Sequence, residues 1–278
     1  MATSSRLGAF ALDDFEVRSG SATSVIRTIA GLYIRHEPQP VARGKVLDLA
    51  DAAGIPAPTA QTAISRLLDR SVFESIDGSQ LQVSAQALAM FARGNRRIFT
   101  PRQMKDADPW SLVAYSLPET MRPVRHQLRK HFLQLGGGLV ASGLWIFPAY
   151  LHDEVLQILQ ALEVRAYATV FTTQTPDFPG SPAEAARQWW DLQRLAAMHH
   201  GFIDRTGVLA AATSDEDAYR NYVTMIDAWR ALPYLDPGLP PMMLPKDWPG
   251  NLSRQRFLDL SAALQQRSAQ FARRVLGS

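Results

Sequence analysis

The clearest chemistry in the chain lies in a short run of hydroxyl, amide and guanidinium side chains: Thr59, Gln61, Thr62, Ser65, Arg66 and Arg70. Arginine pairs with guanine edges and glutamine with adenine, while threonine and serine reach bases or phosphates. On a 3.6-residue period these residues fall opposite an apolar stripe of Ala60, Ala63, Ile64, Leu67 and Leu68. The spacing predicts a helix from about Pro58 to Arg70, with proline suited to its first turn. The N-terminal half of such a helix is the part that reaches base edges. Thr59, Gln61, Thr62 and Arg66 are therefore expected at bases or in a groove, with Ser65 on the same face. Arg43, Lys45, Arg70 and the loop around Gly78 suit phosphates better. Any surface helix has a polar face, so this pattern needs support from its neighbours.

The neighbouring elements supply that support. Val25, Ile26, Ile29, Leu32, Tyr33 and Ile34 recur at helical spacing from Ser24 to Arg35, and Pro38 and Pro40 stop the run. Gly44 to Ala53 reads as a second helix, followed by Gly54 in the position favoured just past a helix end. After the third helix, Val72–Ile76 and Leu81–Val83 flank Asp77-Gly78, a strong hairpin signal. Three helices and a tight hairpin make a winged helix-turn-helix. Ala85 to about Ile98 reads as a fourth helix, whose end carries Arg93, Arg96 and Arg97. These three are either a phosphate patch or cations favoured by the helix dipole, and the dipole is the simpler reading.

Charge points the same way. Between Arg18 and Lys105 there are 12 Lys+Arg against 6 Asp+Glu, whereas the net charge of the whole chain is +3. A basic segment attracts a phosphate backbone by releasing condensed counterions.

Farther on, the pattern is strand (Trp110–Leu117), helix (Glu119–Leu135), two short strands around Ser142-Gly143, helix (Leu151–Leu162) and strand (Tyr167–Thr172). This β-α-β-β-α-β order is that of a ferredoxin-like domain. Prolines at 176, 179 and 182 mark a linker. Helices are expected over Ala183–Arg205, Asp215–Leu232 and Ser253–Leu276. The fold class is thus α+β. Residues 1–22 form an arm, 23–105 a winged helix-turn-helix, 106–175 a ferredoxin-like central domain and 176–278 a helical C-terminal domain.

Other function classes find less footing. There is no cysteine, which excludes disulfides and thiolate chemistry and fits a reducing cytoplasm. No run of about 18 apolar residues exists, so no membrane span is expected. Residues 1–21 lack the order of a secretory signal. His199 and His200 point about 100° apart on a helix and do not converge on one metal, so a surface or packing role is expected. Gly136-Gly137-Gly138 lacks the lysine of a phosphate loop and reads as a turn. No serine or aspartate stands in a recognisable nucleophile motif, and neither a catalytic residue nor a metal or cofactor is expected.

Four stretches carry a resemblance to the PaaX family of regulators: Thr62-Ala63-Ile64-Ser65-Arg66-Leu67, Gly143-Leu144-Trp145-Ile146-Phe147-Pro148, Trp189-Trp190-Asp191-Leu192, and Leu244-Pro245-Lys246-Asp247-Trp248-Pro249-Gly250. They occur in family order. The sequence departs from the family at Ala141-Ser142-Gly143 and Ser71-Val72-Phe73. The resemblance implies a homodimeric repressor on a palindromic operator of double-stranded DNA, released by an aryl-CoA thioester such as phenylacetyl-CoA. A CoA thioester would need cations for its phosphates. Arg122, Arg125, Arg129 and Lys130 share one helix and are candidates, although a solvated face explains them as well. Trp189 and Trp190 could stack on an aromatic group, although buried aromatics mostly serve packing. The central domain is also similar to a small CRISPR-associated nuclease. That family needs an aspartate at the end of its first strand, where Ala114-Tyr115-Ser116-Leu117 stands here. A metal-dependent nuclease and a protein-interaction module remain the alternatives.

Overall fold

The computed structural model describes residues 18–174, 176–178, 180–209 and 211–278. Most of the expected N-terminal arm, residues 1–17, lies outside them. In chain order the elements are α1 (Ala22–Leu32), β1 (Val41–Ala42), α2 (Arg43–Ala52), α3 (Ala57–Asp69), β2 (Phe73–Ile76), β3 (Gln80–Val83) and α4 (Ala85–Phe99). Then come β4 (Trp110–Tyr115), α5 (Arg122–Gln134), β5 (Gly138–Ala141), β6 (Leu144–Pro148), α6 (His152–Ala161) and β7 (Ala168–Thr173). The chain closes with α7 (Pro182–Trp189), α8 (Leu192–Gly207), α9 (Asp215–Trp229), α10 (Leu232–Leu235) and α11 (Gly250–Leu276). Helices and two antiparallel sheets give the α+β class.

Contacts gather into two compact units. One holds residues 18–95, 200–231 and 250–278. Its core is built on the apolar stripes of α1, α2 and α3: Ile26, Ile29, Val46, Leu49, Ala60, Ile64 and Leu67 are all buried. Phe73 and Leu81 seal it from the sheet side, and Tyr219, Val223, Ala272 and Leu276 enter it from α9 and α11. The sheet has the order β1-β3-β2. Hairpin β2–β3 turns through Asp77, Gly78 and Ser79, the loop closed by the pair Ile76–Gln80, with Asp77 (φ 49°) and Gly78 (φ 72°) both left-handed. Strand β1 is an addition to the sequence reading. It is two residues long and pairs Val41 with Leu81.

The other unit holds residues 96–199 and 232–249. Its sheet is antiparallel throughout, in the order β5-β6-β4-β7. Strand β6 shows why the stretch Leu144–Pro148 is almost wholly apolar. Trp145 and Phe147 face a core with Val113, Leu128, Phe132, Val155 and Ile158. Ile146, one residue out of phase, faces a second core with Trp110, Trp190, Leu239 and Trp248. Both faces of the strand are covered, so it reads as a continuous run. Residues expected in one C-terminal domain contribute to both units.

The helix expected over Ala183–Arg205 is two helices, and this corrects the sequence reading. Trp190 is extended (φ −123°, ψ 146°) and ends α7. Asp191 then caps α8: its Oδ1 accepts from the Arg194 amide at 3.0 Å. The break lets the Trp190 indole enter the core and donate to the Gly136 carbonyl at 2.9 Å.

Candidate nucleic-acid interface

Helix α3 sorts its residues as the periodicity requires. Ala60, Ala63, Ile64 and Leu67 are buried, while Thr59, Gln61, Thr62, Ser65 and Arg66 are all exposed. Arg70, at the C-cap, is exposed as well. Two hydroxyls rest on the helix's own backbone: Thr62 Oγ1 donates to the Pro58 carbonyl at 3.2 Å and Ser65 Oγ to that of Gln61 at 3.1 Å. Such bonds are weak and local, so an incoming acceptor can replace them.

An open groove of about 660 Å³ runs along this face. Thr59, Thr62, Arg66 and Arg70 line one side; Arg18, Ser21, Ala22 and Thr23 line the other. None of Arg18, Arg66 and Arg70 pairs with a carboxylate among the described residues. The groove therefore presents unneutralised positive charge beside hydroxyl groups, the chemistry that a phosphodiester backbone takes. Sequence reasoning missed Arg18 because it assigned residues 1–22 to an arm. The signal was Ser21 ahead of an apolar periodic run, which is a helix start. Ser21 does cap α1, its side chain accepting from the Ser24 amide at 3.3 Å.

The expected phosphate contacts divide. Gly78 is exposed at the tip of the β2–β3 hairpin. Arg43 opens α2, and its amide donates to the Ser79 carbonyl at 2.9 Å, tying that helix to the hairpin. Arg43 as a whole is half-buried. Lys45 Nζ donates to the Leu276 carbonyl near the end of α11. That is a cation at a helix C-terminus, where the dipole favours it. In the other unit, Arg97 reaches the carbonyls of Leu135, Pro233 and Tyr234 and pairs with Glu154 at 3.3 Å. Its charge is used within the fold.

The residues expected to meet an effector have varied surroundings. Arg125 donates to the Leu117 carbonyl at 2.7 Å and pairs with Glu119 at 3.1 Å, bracing the turn before α5. Arg129 lies 5.9 Å from the centre of the Trp145 ring, at the outer limit of a cation–π contact. Arg122 is exposed at the start of α5. Trp189 packs on Phe178 with ring centres 5.6 Å apart, and Trp190 is in the core. His199 and His200 diverge as expected. His199 is buried, with Nε2 2.8 Å from Asp236 and its ring edge-on to Trp248; His200 is exposed. Among the described residues, no group of three or more His, Cys, Asp or Glu could hold a metal ion. No helix there is long and apolar enough to cross a membrane.

Comparison with known proteins adds lineage. The chain is similar to an uncharacterized protein of Mycobacterium tuberculosis, Rv0674, whose structure superposes with a TM-score of 0.56 at 21% identity, over 86% of this chain and 95% of that one. It is similar to the transcriptional repressor PaaX of Escherichia coli (strain K12), 24% identical over 256 residues, which is 86% of this chain and 79% of that protein. The family model for the PaaX protein central Cas2-like domain matches residues 103–186. The model for the PaaX-like protein C-terminal domain matches residues 190–274. With both of these domains present in order, the chain belongs to the PaaX family.

Proposed function

We propose that the protein is a DNA-binding transcriptional regulator, a repressor of an aromatic-acid catabolic operon that an aryl-CoA thioester such as phenylacetyl-CoA releases from DNA. The observation that carries this reading is α3. It buries every apolar side chain of its stripe except the half-buried Leu68 and presents Thr59, Gln61, Thr62, Ser65 and Arg66 together to solvent. The turn from α2, the β2–β3 hairpin and the cationic groove support it as the recognition helix of a winged helix-turn-helix spanning 23–105. The strand order β5-β6-β4-β7 with α5 and α6 supports a ferredoxin-like central domain. Kinship with a named repressor supports the sign of regulation. A homodimer on a palindrome, in the cytoplasm, completes the reading, with half-sites one or two helical turns apart.

Gel shift of the purified protein on its own promoter region tests this. Sequence-preferring binding at moderate salt is expected, and phenylacetyl-CoA should release the DNA where free phenylacetate and CoA do not. Equal binding to every duplex would refute the operator reading. Retention of the complex in phenylacetyl-CoA would refute the effector alone.

A further inference from the structure

Residues 18–28 and helix α9 are tied together by one buried carboxylate. Asp227 is 2% exposed. Its Oδ2 accepts from the Gly20 amide at 2.6 Å and lies 2.9 Å from Ser19 Oγ. Its Oδ1 accepts from Ser24 Oγ and, at 3.1 Å, from Thr28 Oγ1. Arg230 reaches the same oxygen at 3.4 Å and donates to Ser24 Oγ at 2.8 Å. A buried charge is costly unless it is paired and hydrogen-bonded, and this one is satisfied on both oxygens. The cluster pins the turn at Ser19-Gly20, the stretch of chain that follows Arg18.

Arg18 is exposed in the groove that Arg66 and Arg70 share. Three guanidinium groups facing one open groove, none of them paired to a carboxylate among the described residues, repel one another until an anion arrives. We infer that Arg18 forms a phosphate clamp with Arg70, flanking the base-reading Arg66 in the same groove, and that Asp227 is the positioning residue that holds Arg18 there. The inference rests on the reading of α3 as the DNA-contacting helix. It extends the interface to a residue before α1, and it makes Asp227, a side chain 209 positions away in sequence, a determinant of DNA affinity. A phosphate contact carries no sequence information, so the clamp sets affinity and register rather than operator choice.

The test is a salt titration of DNA binding by the full chain, on an operator fragment and on an unrelated duplex. Each phosphate contact adds about 0.9 to the slope of log affinity against log salt. Arg18→Ala should lower the slope by that amount on both duplexes. The wild-type advantage over this variant should then be about threefold greater at about 50 mM salt than at about 200 mM. Asp227→Asn should cause the same loss of slope in the wild-type background and no further loss in the Arg18→Ala background. A variant that merely weakens the fold would lower affinity in both backgrounds alike, and that result would overturn the role of Asp227. Should Asp227→Asn not fold, Ser19→Ala removes one tether from outside the core and is expected to lower the slope by a smaller amount. An unchanged slope in Arg18→Ala would overturn the clamp while leaving α3 as the reading helix. A wild-type chain whose binding ignores salt would overturn the DNA reading and the clamp together.

Discussion

Tyr219 is where α9 joins the core of α1–α3, and the two ways of truncating it should give separable costs. The side chain is fully buried. Its hydroxyl donates to the Leu49 carbonyl near the end of α2 at 2.9 Å. Its ring lies 5.5 Å from Tyr33 and 5.0 Å from Phe271 of α11, centre to centre. Tyr219→Phe removes only the hydrogen bond. The Leu49 carbonyl still accepts from the Ala53 amide at 3.2 Å, so no buried acceptor is orphaned. The cost should be about 1 kcal/mol. Tyr219→Ala also empties the space between two aromatic rings, and a deletion of that size costs about 3–5 kcal/mol. Urea unfolding of the full chain, followed by far-ultraviolet circular dichroism, measures both. With a slope of about 2 kcal/mol per molar, the alanine variant should unfold about 2 M earlier and the phenylalanine variant about 0.5 M earlier. The decisive comparison is between the two variants. Equal costs, or an alanine variant as stable as wild type, would show that α9 does not share a core with α1–α3. Burial also pushes the Tyr219 phenol well above its ordinary value of 10.0. A raised folded-state pKa contributes stability fully present below the unfolded value and lost above it. Alkaline destabilisation beginning near pH 10 should therefore shrink in Tyr219→Phe.

Two further outcomes bear on the local structure. A Cβ placed on Gly138 would lie 2.6 Å from the Trp190 indole. Gly138→Ala should therefore cost about 1–3 kcal/mol by overpacking and shift tryptophan fluorescence, and an unchanged spectrum and stability would contradict the packing described. The Asp217 carboxyl should titrate at about 2, because Thr213 and Ser214 donate to it in the cap of α9. A depressed folded-state pKa gives stability that is complete above the ordinary 3.8 and lost as pH falls through about 2. Carbon-detected NMR titration checks this; Ser214→Ala should move the midpoint upward, and a wild-type midpoint at the ordinary value would refute the cap.

Much of the candidate interface was legible because it is local. A 3.6-residue period alone assigns Ala60, Ala63, Ile64 and Leu67 to the core and leaves the Thr, Gln, Ser and Arg side chains outside. Asp77-Gly78 specifies its turn through two left-handed residues, again without distant partners. What escaped was set by long-range contact. Strand β1 exists because Val41 finds Leu81 forty residues away, and two residues have no period of their own. The break at Trp190 carries no proline or glycine; its cause is the pull of the core on an indole, with Asp191 as the only local hint. Lys45 reads as a surface cation until the end of α11 arrives beside it. Arg18 sits in a stretch of small residues, and only the partners supplied by Asp227 reveal that the turn after it is fixed.

The central claim is that the exposed face of α3 reads DNA sequence. Its most direct test is the affinity of Arg66→Ala for the operator and for an unrelated duplex, beside wild type at matched salt. The structure predicts that the wild-type preference for operator falls by about 1–3 kcal/mol in the variant, with little change on the unrelated duplex. Equal weakening on both duplexes would make Arg66 a phosphate contact and would contradict the assignment of this face to base recognition.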